Sequence, residues 1–278
     1  MSLVKMTEVL EWAEKNNCAV GAFSVGNMEM VIGAVRAAEE MNTPIILQIA
    51  EKRMQQSPMH LMAPMMVSAA KNAKVPVAVH LDHGLTMDCI KNALEYGFTS
   101  VMLDGSLLPF EENIELTRQV RAEADKYGAT VEAELGVVGG NEGDSAKHEI
   151  MCTDPEKALE FCEKTGIDCL AVAIGNAHGN YPVLPELRFD VLEEIYGKVD
   201  TPLVLHGGTG ITDEMFKRAI SLGIRKINIA TASFDSLANK AKEYTSTAEK
   251  PDYFTLSPDM ASAVCENIKK HIKIFLNN

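Results

Sequence analysis

Eight short runs of apolar and β-branched residues recur along this chain, each followed by a longer stretch with helical periodicity and a polar face. The runs are CAVGAF (18–23), TPIILQIA (43–50), VPVAVHLD (75–82), TSVMLD (99–104), ATVEAELG (129–136), DCLAVAIG (168–175), TPLVLHG (201–207) and RKINIA (225–230). Runs of this length read as buried strands, and intervening segments such as NMEMVIGAVRAAEEMN and DEMFKRAISLG read as helices. Their strict alternation implies parallel strands joined by right-handed crossovers. Eight such units in 278 residues predict an α/β fold: a single (β/α)8, or TIM, barrel over residues 1–278, finished by a helix from about 258 to 276. The rival doubly wound sheet calls for a GxGxxG turn after the first strand, and CAVGAFSVGN has none.

In such a barrel the C-terminal ends of all strands face one rim, where chemistry is assembled from distant segments. Strand three ends in Asp82 and His83, strand four in Asp104, and strand five carries Glu132 and Glu134. Strand six runs into NAHG with His178, and strand seven ends in His206. For any one of these histidines a hydrogen-bonded core position is the plainer reading. Three imidazoles from separate strand ends, with a fourth position open, are instead the pattern of a catalytic zinc.

His80 shares strand parity with Asp82 and is expected inside the barrel as a supporting group. His60, His148 and His271 are expected in solvent. Glu132 and Glu134 lie two apart and project to one side, and inward-facing glutamates need a partner or a metal. Asp104 reads equally well as a cap of DGSLLPFEEN and as a site acid. Asp82, adjoining a candidate ligand at the rim, is a candidate acid/base group.

HGGTG (206–210) and NIATA (228–232) place Gly207, Gly208, Thr209, Asn228, Ala230 and Thr231 at the exits of strands seven and eight. Barrels of this type bind phosphate there through backbone N–H groups and a helix N-terminus, the alternative being glycines that merely permit tight turns. The loop GVVGGNEGDSAKHE (136–149) reads as a solvated loop or a mobile lid.

With 39 acidic against 26 basic residues, the net charge of −13 disfavours a nucleic-acid partner. The six cysteines include no CxxC pair and sit mostly among apolar neighbours, which points to a reducing, cytoplasmic setting. The opening segment MSLVKMTEVLEWAEKNN carries charges throughout and lacks the apolar core and cleavage site of a leader. No apolar run approaches the roughly 18 residues of a membrane span, so no membrane partner is expected.

The motifs VHLDHG, VEAELGVVGG, AVAIGNAHGNY, LVLHGGTG and KINIAT, in this order and spacing, resemble the class II, zinc-dependent ketose-bisphosphate aldolases. This is the family of fructose-bisphosphate and tagatose-bisphosphate aldolases, and the likeness covers nearly the whole chain. It implies zinc on His83, His178 and His206, with Glu134 and Asp104 matching acids that can hold the metal in an alternative position. It also implies an acid/base role for Asp82 at the substrate C4 hydroxyl. Glu142 matches the loop glutamate that removes the C1 proton of dihydroxyacetone phosphate in the condensation direction. Gly179, Gly207, Thr209, Asn228 and Thr231 match contacts to the dihydroxyacetone phosphate half. Nearby carbonyls hold a monovalent cation, Na+ or K+, in some members. The implied partner is a small phosphorylated sugar and the implied assembly a homodimer or homotetramer.

Departures from the family pattern fall mainly on the far half of the substrate. AFS puts Ser24 where asparagine is usual, and strand two ends in Ala50 where a serine often sits. Pro182 follows HGNY where many fructose-bisphosphate enzymes carry a lysine close by. Strand eight reads NIATA, close to the tagatose-type NVAT rather than NIDT, and EKPDYF (249–254) lacks the arginine of a DPR-type clamp. Arg53, with Lys52, is the candidate to meet a distal phosphate or carboxylate, against the plain alternative of an exposed, salt-bridging arginine.

Three other readings compete with this one. A Schiff-base route needs a buried lysine at a strand end, and Lys226 is the only lysine inside a strand candidate. A metal-dependent hydrolase on the same fold would place HxH on the first strand, which CAVGAF lacks. A retired sugar-phosphate-binding protein is opposed by the presence of Asp82, Glu142 and all three histidines.

Overall fold

The computed structural model describes residues 2–140, 151–180 and 185–277. All eight strands close into one parallel barrel in sequence order. They are β1 (Val20–Ser24), β2 (Ile45–Ala50), β3 (Val77–Gly84), β4 (Ser100–Leu103), β5 (Thr130–Leu135), β6 (Cys169–Val172), β7 (Leu203–Leu205) and β8 (Ile224–Ile229). β8 pairs with β1 through Val20 opposite Lys226 and Ala22 opposite Asn228, so no edge is left open.

Along each strand, side chains alternate between the helical shell and the barrel interior. The shell-facing set, including Phe23, Leu47, Val79, Leu81, Val131 and Ile227, merges with the apolar helix faces in one continuous core. Inside, Val20, Ala22, Ile46, Ala78, Met102, Cys169, Ala171 and Val204 form a separate apolar cluster. Helix α1 (Met6–Lys15) plugs it from the N-terminal mouth with Met6, Val9, Leu10 and Ala13. Toward the C-terminal rim the inward positions turn polar: Ser24, Gln48, His80, Asp82, Glu132, Glu134, Lys226 and Asn228 are all buried. Apolar packing holds one end of the barrel, and the buried polarity collects at the other.

The final helix differs from its sequence expectation. It spans Tyr253–Phe275 rather than beginning near 258, because the Asp252 carboxylate accepts from Thr255 N and caps it one turn earlier, leaving Pro258 within the helix. His271, expected in solvent, is buried on this helix, with Nδ1 2.8 Å from the Asn267 carbonyl and the ring against Phe275. His60 is exposed as expected, and His148 lies outside the described residues. No helix among the described residues is long and apolar enough to cross a membrane.

Candidate active site

Strict alternation would send Asp82 and His83 to opposite faces of β3. They stay together because the β3–β4 register shifts between Leu81 and Gly84 and His83 adopts φ +40°, a left-handed conformation sparsely populated by residues other than glycine. The irregularity turns the imidazole back toward the rim.

There His83 Nε2 lies 3.1 Å from His178 Nε2 and 3.0 Å from His206 Nδ1. The three sequence-predicted histidines therefore converge, His83 and His206 buried and His178 partly buried. Donors at about 2.0–2.1 Å from a shared tetrahedral zinc stand about 3.3 Å apart, so these separations suit one ion. Two of the imidazoles are also steered from outside the trio, and the third residue is held through its backbone. His83 Nδ1 is 2.7 Å from Asp104 Oδ2, and His206 Nε2 is 2.8 Å from Glu132 Oε1. The backbone N–H of His178 donates to the Gly139 carbonyl at 2.7 Å.

The surrounding charges ask for a cation. Burial alone would lower the pKa of His83, but Asp82, the hydrogen bond and charge of Asp104, and Glu134 push it up to about 10. His178 and His206 are held well below the ordinary value, by burial and then by repulsion from His83. Burial, followed by the charge of Asp104, drives Glu134 well above the carboxylate range. Its Oε2 makes no hydrogen bond and faces His206 Nδ1 at 3.5 Å. A divalent metal among three neutral imidazoles meets the same demand, and the donor set fits zinc. His83, Asp104 and Glu134 form a second, overlapping donor group. One Asp104 oxygen thus faces His83, and the other accepts from Ser106 N and Oγ at the start of the following segment.

Asp82 is held from two sides. Gln48 Nε2 donates to Oδ2 and Asn228 Nδ2 to Oδ1, each at 3.0 Å. Gln48 Nε2 also reaches Ser24 Oγ at 3.2 Å. Gln48 is absent from the sequence-derived site, although the only polar side chain in IILQIA, paired in register with His80, was the signal available.

Beside Asp82 opens a small pocket lined by Gly179, Gly207, Gly208, Thr209, Asn228, Ala230 and Thr231. Beside it begins the helix Thr231–Thr247, and Ala232 N in its first turn donates to Thr209 Oγ1. Gly207 has φ +66°, and a Cβ there would sit 2.1 Å from the Ala177 carbonyl oxygen, so only glycine lets strand seven's exit pass under strand six's. The structure thus gathers the predicted anion-cradle residues with Ser24 nearby. Arg53 lies on the short 3-10 helix that follows β2, with its guanidinium carbon 5.7 Å from the centre of the Phe234 ring. Glu142 and Pro182 lie outside the described residues. A roomier cleft occurs at the opposite mouth, around Leu3, Phe98 and Tyr127, far from these groups.

The loop after β5 touches the backbone of His178 directly. Gly140 has φ +98°, and a Cβ would fall 2.2 Å from the His178 carbonyl oxygen and 2.7 Å from its nitrogen. Gly140→Ala is therefore expected to displace His178 and weaken zinc binding by about tenfold or more, measured by competition with a chromogenic chelator. Unchanged affinity would mean that the loop yields without moving the imidazole.

A barrel rim that joins imidazole donors to an anion cradle is how metal-assisted (β/α)8 enzymes acting on phosphorylated substrates are built. The chain belongs to the class II fructose-bisphosphate aldolase family, whose sequence model, "Fructose-bisphosphate aldolase class-II", matches residues 4–278. It is 44% identical over 246 residues to the fructose-bisphosphate aldolase of Geobacillus stearothermophilus, covering 87% of this chain and 86% of the relative. Identity to the fructose-bisphosphate aldolase of Staphylococcus aureus (strain Mu50 / ATCC 700699) is 39% over 279 residues, covering 99% and 98%. Among solved structures, the YdjI aldolase from Escherichia coli K12 matches with a TM-score of 0.89 at 39% identity, covering 98% of this chain and 97% of that one.

Proposed function

We propose that this protein is a zinc-dependent class II aldolase that reversibly cleaves a phosphorylated ketose, of the fructose 1,6-bisphosphate or tagatose 1,6-bisphosphate type, to dihydroxyacetone phosphate and an aldehyde. The observation that carries the reading is the meeting of three imidazole nitrogens, within 3.0 and 3.1 Å of one another through His83, beside a carboxylate clamped by two amides.

His83, His178 and His206 would hold zinc, with Glu134 and Asp104 offering an alternative position, and the bound metal would supply Lewis-acid stabilisation of the negative charge that collects over C1 to C3 of the ketose. Asp82 takes the C4 hydroxyl proton as the C3–C4 bond breaks and the aldehyde forms. Gln48 and Asn228 saturate one side of each Asp82 oxygen and so orient the carboxylate. Gly179, Gly207, Gly208, Thr209, Ala230 and Thr231 bind the phosphate of the retained half through backbone N–H groups and the N-terminus of the helix Thr231–Thr247. Glu142 exchanges the C1 proton of dihydroxyacetone phosphate, and nearby carbonyls would hold a monovalent cation, Na+ or K+. Lys226 is enclosed in an ion pair with Glu132, Nζ to Oε2 2.8 Å, and so offers no free amine to a Schiff base.

Release of dihydroxyacetone phosphate from a panel of ketose phosphates, with and without chelator, tests this reading. The panel includes other keto-sugar phosphates and deoxy-keto-acid phosphates, because the departures from the family pattern bear mainly on recognition of the far half of the substrate. Arg53 is assigned to that half: Arg53→Ala is expected to raise KM for the best substrate about tenfold with a smaller change in kcat, the scale of one lost charge-assisted hydrogen bond. An unchanged KM rejects the assignment. A homodimer or homotetramer in a cytoplasmic setting belongs to the same reading, and light scattering of the purified protein checks the assembly.

A further inference from the structure

Beneath the metal donors lies a buried ion pair that the mechanism above leaves unused. Lys226 and Glu132 are both fully enclosed, on β8 and β5 across the barrel interior. Lys226 Nζ stands 2.8 Å from Glu132 Oε2 and 3.1 Å from Oε1. Oε1 is at the same time 2.8 Å from His206 Nε2. On the other side, His80 Nε2 approaches Oε2 at 3.6 Å, while its Nδ1 is 2.7 Å from Ser100 Oγ.

An ammonium group can only donate hydrogen bonds. With Lys226 donating to both Glu132 oxygens, the carboxylate acts as acceptor throughout, and His206 Nε2 must carry the hydrogen it shares with Oε1. The lone pair of His206 is then left on Nδ1, the nitrogen that faces His83 Nε2 at 3.0 Å. His83 and His178 present Nε2 to the same point, so His206 is the donor of opposite tautomer. Removing a whole ion pair from water is tolerated only when the geometry and remaining hydrogen bonds compensate, which this arrangement supplies.

The geometry points to Lys226 and Glu132 as a positioning unit: Glu132 fixes His206 in the Nε2–H tautomer and ring orientation that turn Nδ1 toward the metal, and Lys226 holds Glu132 in place as an acceptor. Neither residue touches substrate. The inference rests on the zinc reading of the histidine trio and assigns it a support that the trio alone does not reveal.

The test measures zinc affinity by chelator competition in the wild type and in folded Glu132→Gln, Lys226→Met and Lys226→Arg variants, with circular dichroism as the fold check. Glu132→Gln and Lys226→Met are expected to bind zinc roughly 10–100-fold more weakly, with Lys226→Arg recovering much of the loss. A wild type that takes up no zinc at the trio sinks both this inference and the proposed function. Tight binding by the wild type, equalled within about twofold by the folded Glu132→Gln variant, sinks this inference alone. Nitrogen-15 spectra of histidine-labelled wild type give an answer independent of whether the variants fold. The metal-free protein should show a proton on Nε2 of His206, and cadmium-113 loading should couple to its Nδ1. A proton on Nδ1, or coupling through Nε2, overturns the assignment.

Discussion

Stripping the protein with a chelator is expected to lower ketose-phosphate cleavage by at least about 10³-fold, and stoichiometric zinc to restore it. The size follows from the several kcal/mol of charge stabilisation that a Lewis acid supplies to a developing enolate, at about 1.4 kcal/mol per factor of ten. The side chains nearest the substrate offer little to replace it. Asp82 and Asp104 are acids that would repel negative charge gathering at the same place. His83, the one imidazole whose surroundings favour a proton, is already committed to Asp104 through Nδ1. Cleavage that continues undiminished in excess chelator, with metal content confirmed as below one-tenth of the protein, would remove zinc from the mechanism.

Asp82→Ala is expected to reduce kcat by about 10²–10⁴-fold, the usual weight of a positioned general acid or base, while KM moves much less. The alanine variant leaves the amides of Gln48 and Asn228 without their acceptor, and water can fill that space in a polar pocket. Asp82→Asn makes a sharper comparison. Both neighbouring amides present N–H to Asp82, so an asparagine amide satisfies one and confronts the other with a second donor. It should therefore be no more active than alanine despite its closer shape. If either variant retained a tenth of the wild-type kcat, proton transfer at C4 would have to be assigned elsewhere.

Much of the site was legible before the fold. His83, His178 and His206 meet as the strand-end rule requires, and the two glycine-containing exits of β7 and β8 form one pocket with Gly179. His80 faces into the barrel as its parity with Asp82 implied. Other features resisted reading for identifiable reasons. Gln48 passed as one polar residue in an apolar strand, because its value depends on Asp82, 34 positions away. His271 was placed in solvent because one histidine near a chain end carries no pattern, and only the packing of the last helix buries it. Asp104 could not be divided between capping and site roles from sequence, since a carboxylate has two oxygens and the structure turns one to His83 and the other to Ser106.

The sequence by itself determined the barrel and the strand ends that carry its chemistry, because the two-residue period of a strand and the alternation of strand with helix are written locally. The tertiary structure alone decided how those side chains are aimed. His83 turns inward only through a register shift against β4, and Asp82 is oriented by residues on β2 and β8. Glu132 meets Lys226 and His206 across 94 and 74 positions of chain. Those meetings depend on the stagger of eight strands around a closed ring, a property that no single segment contains.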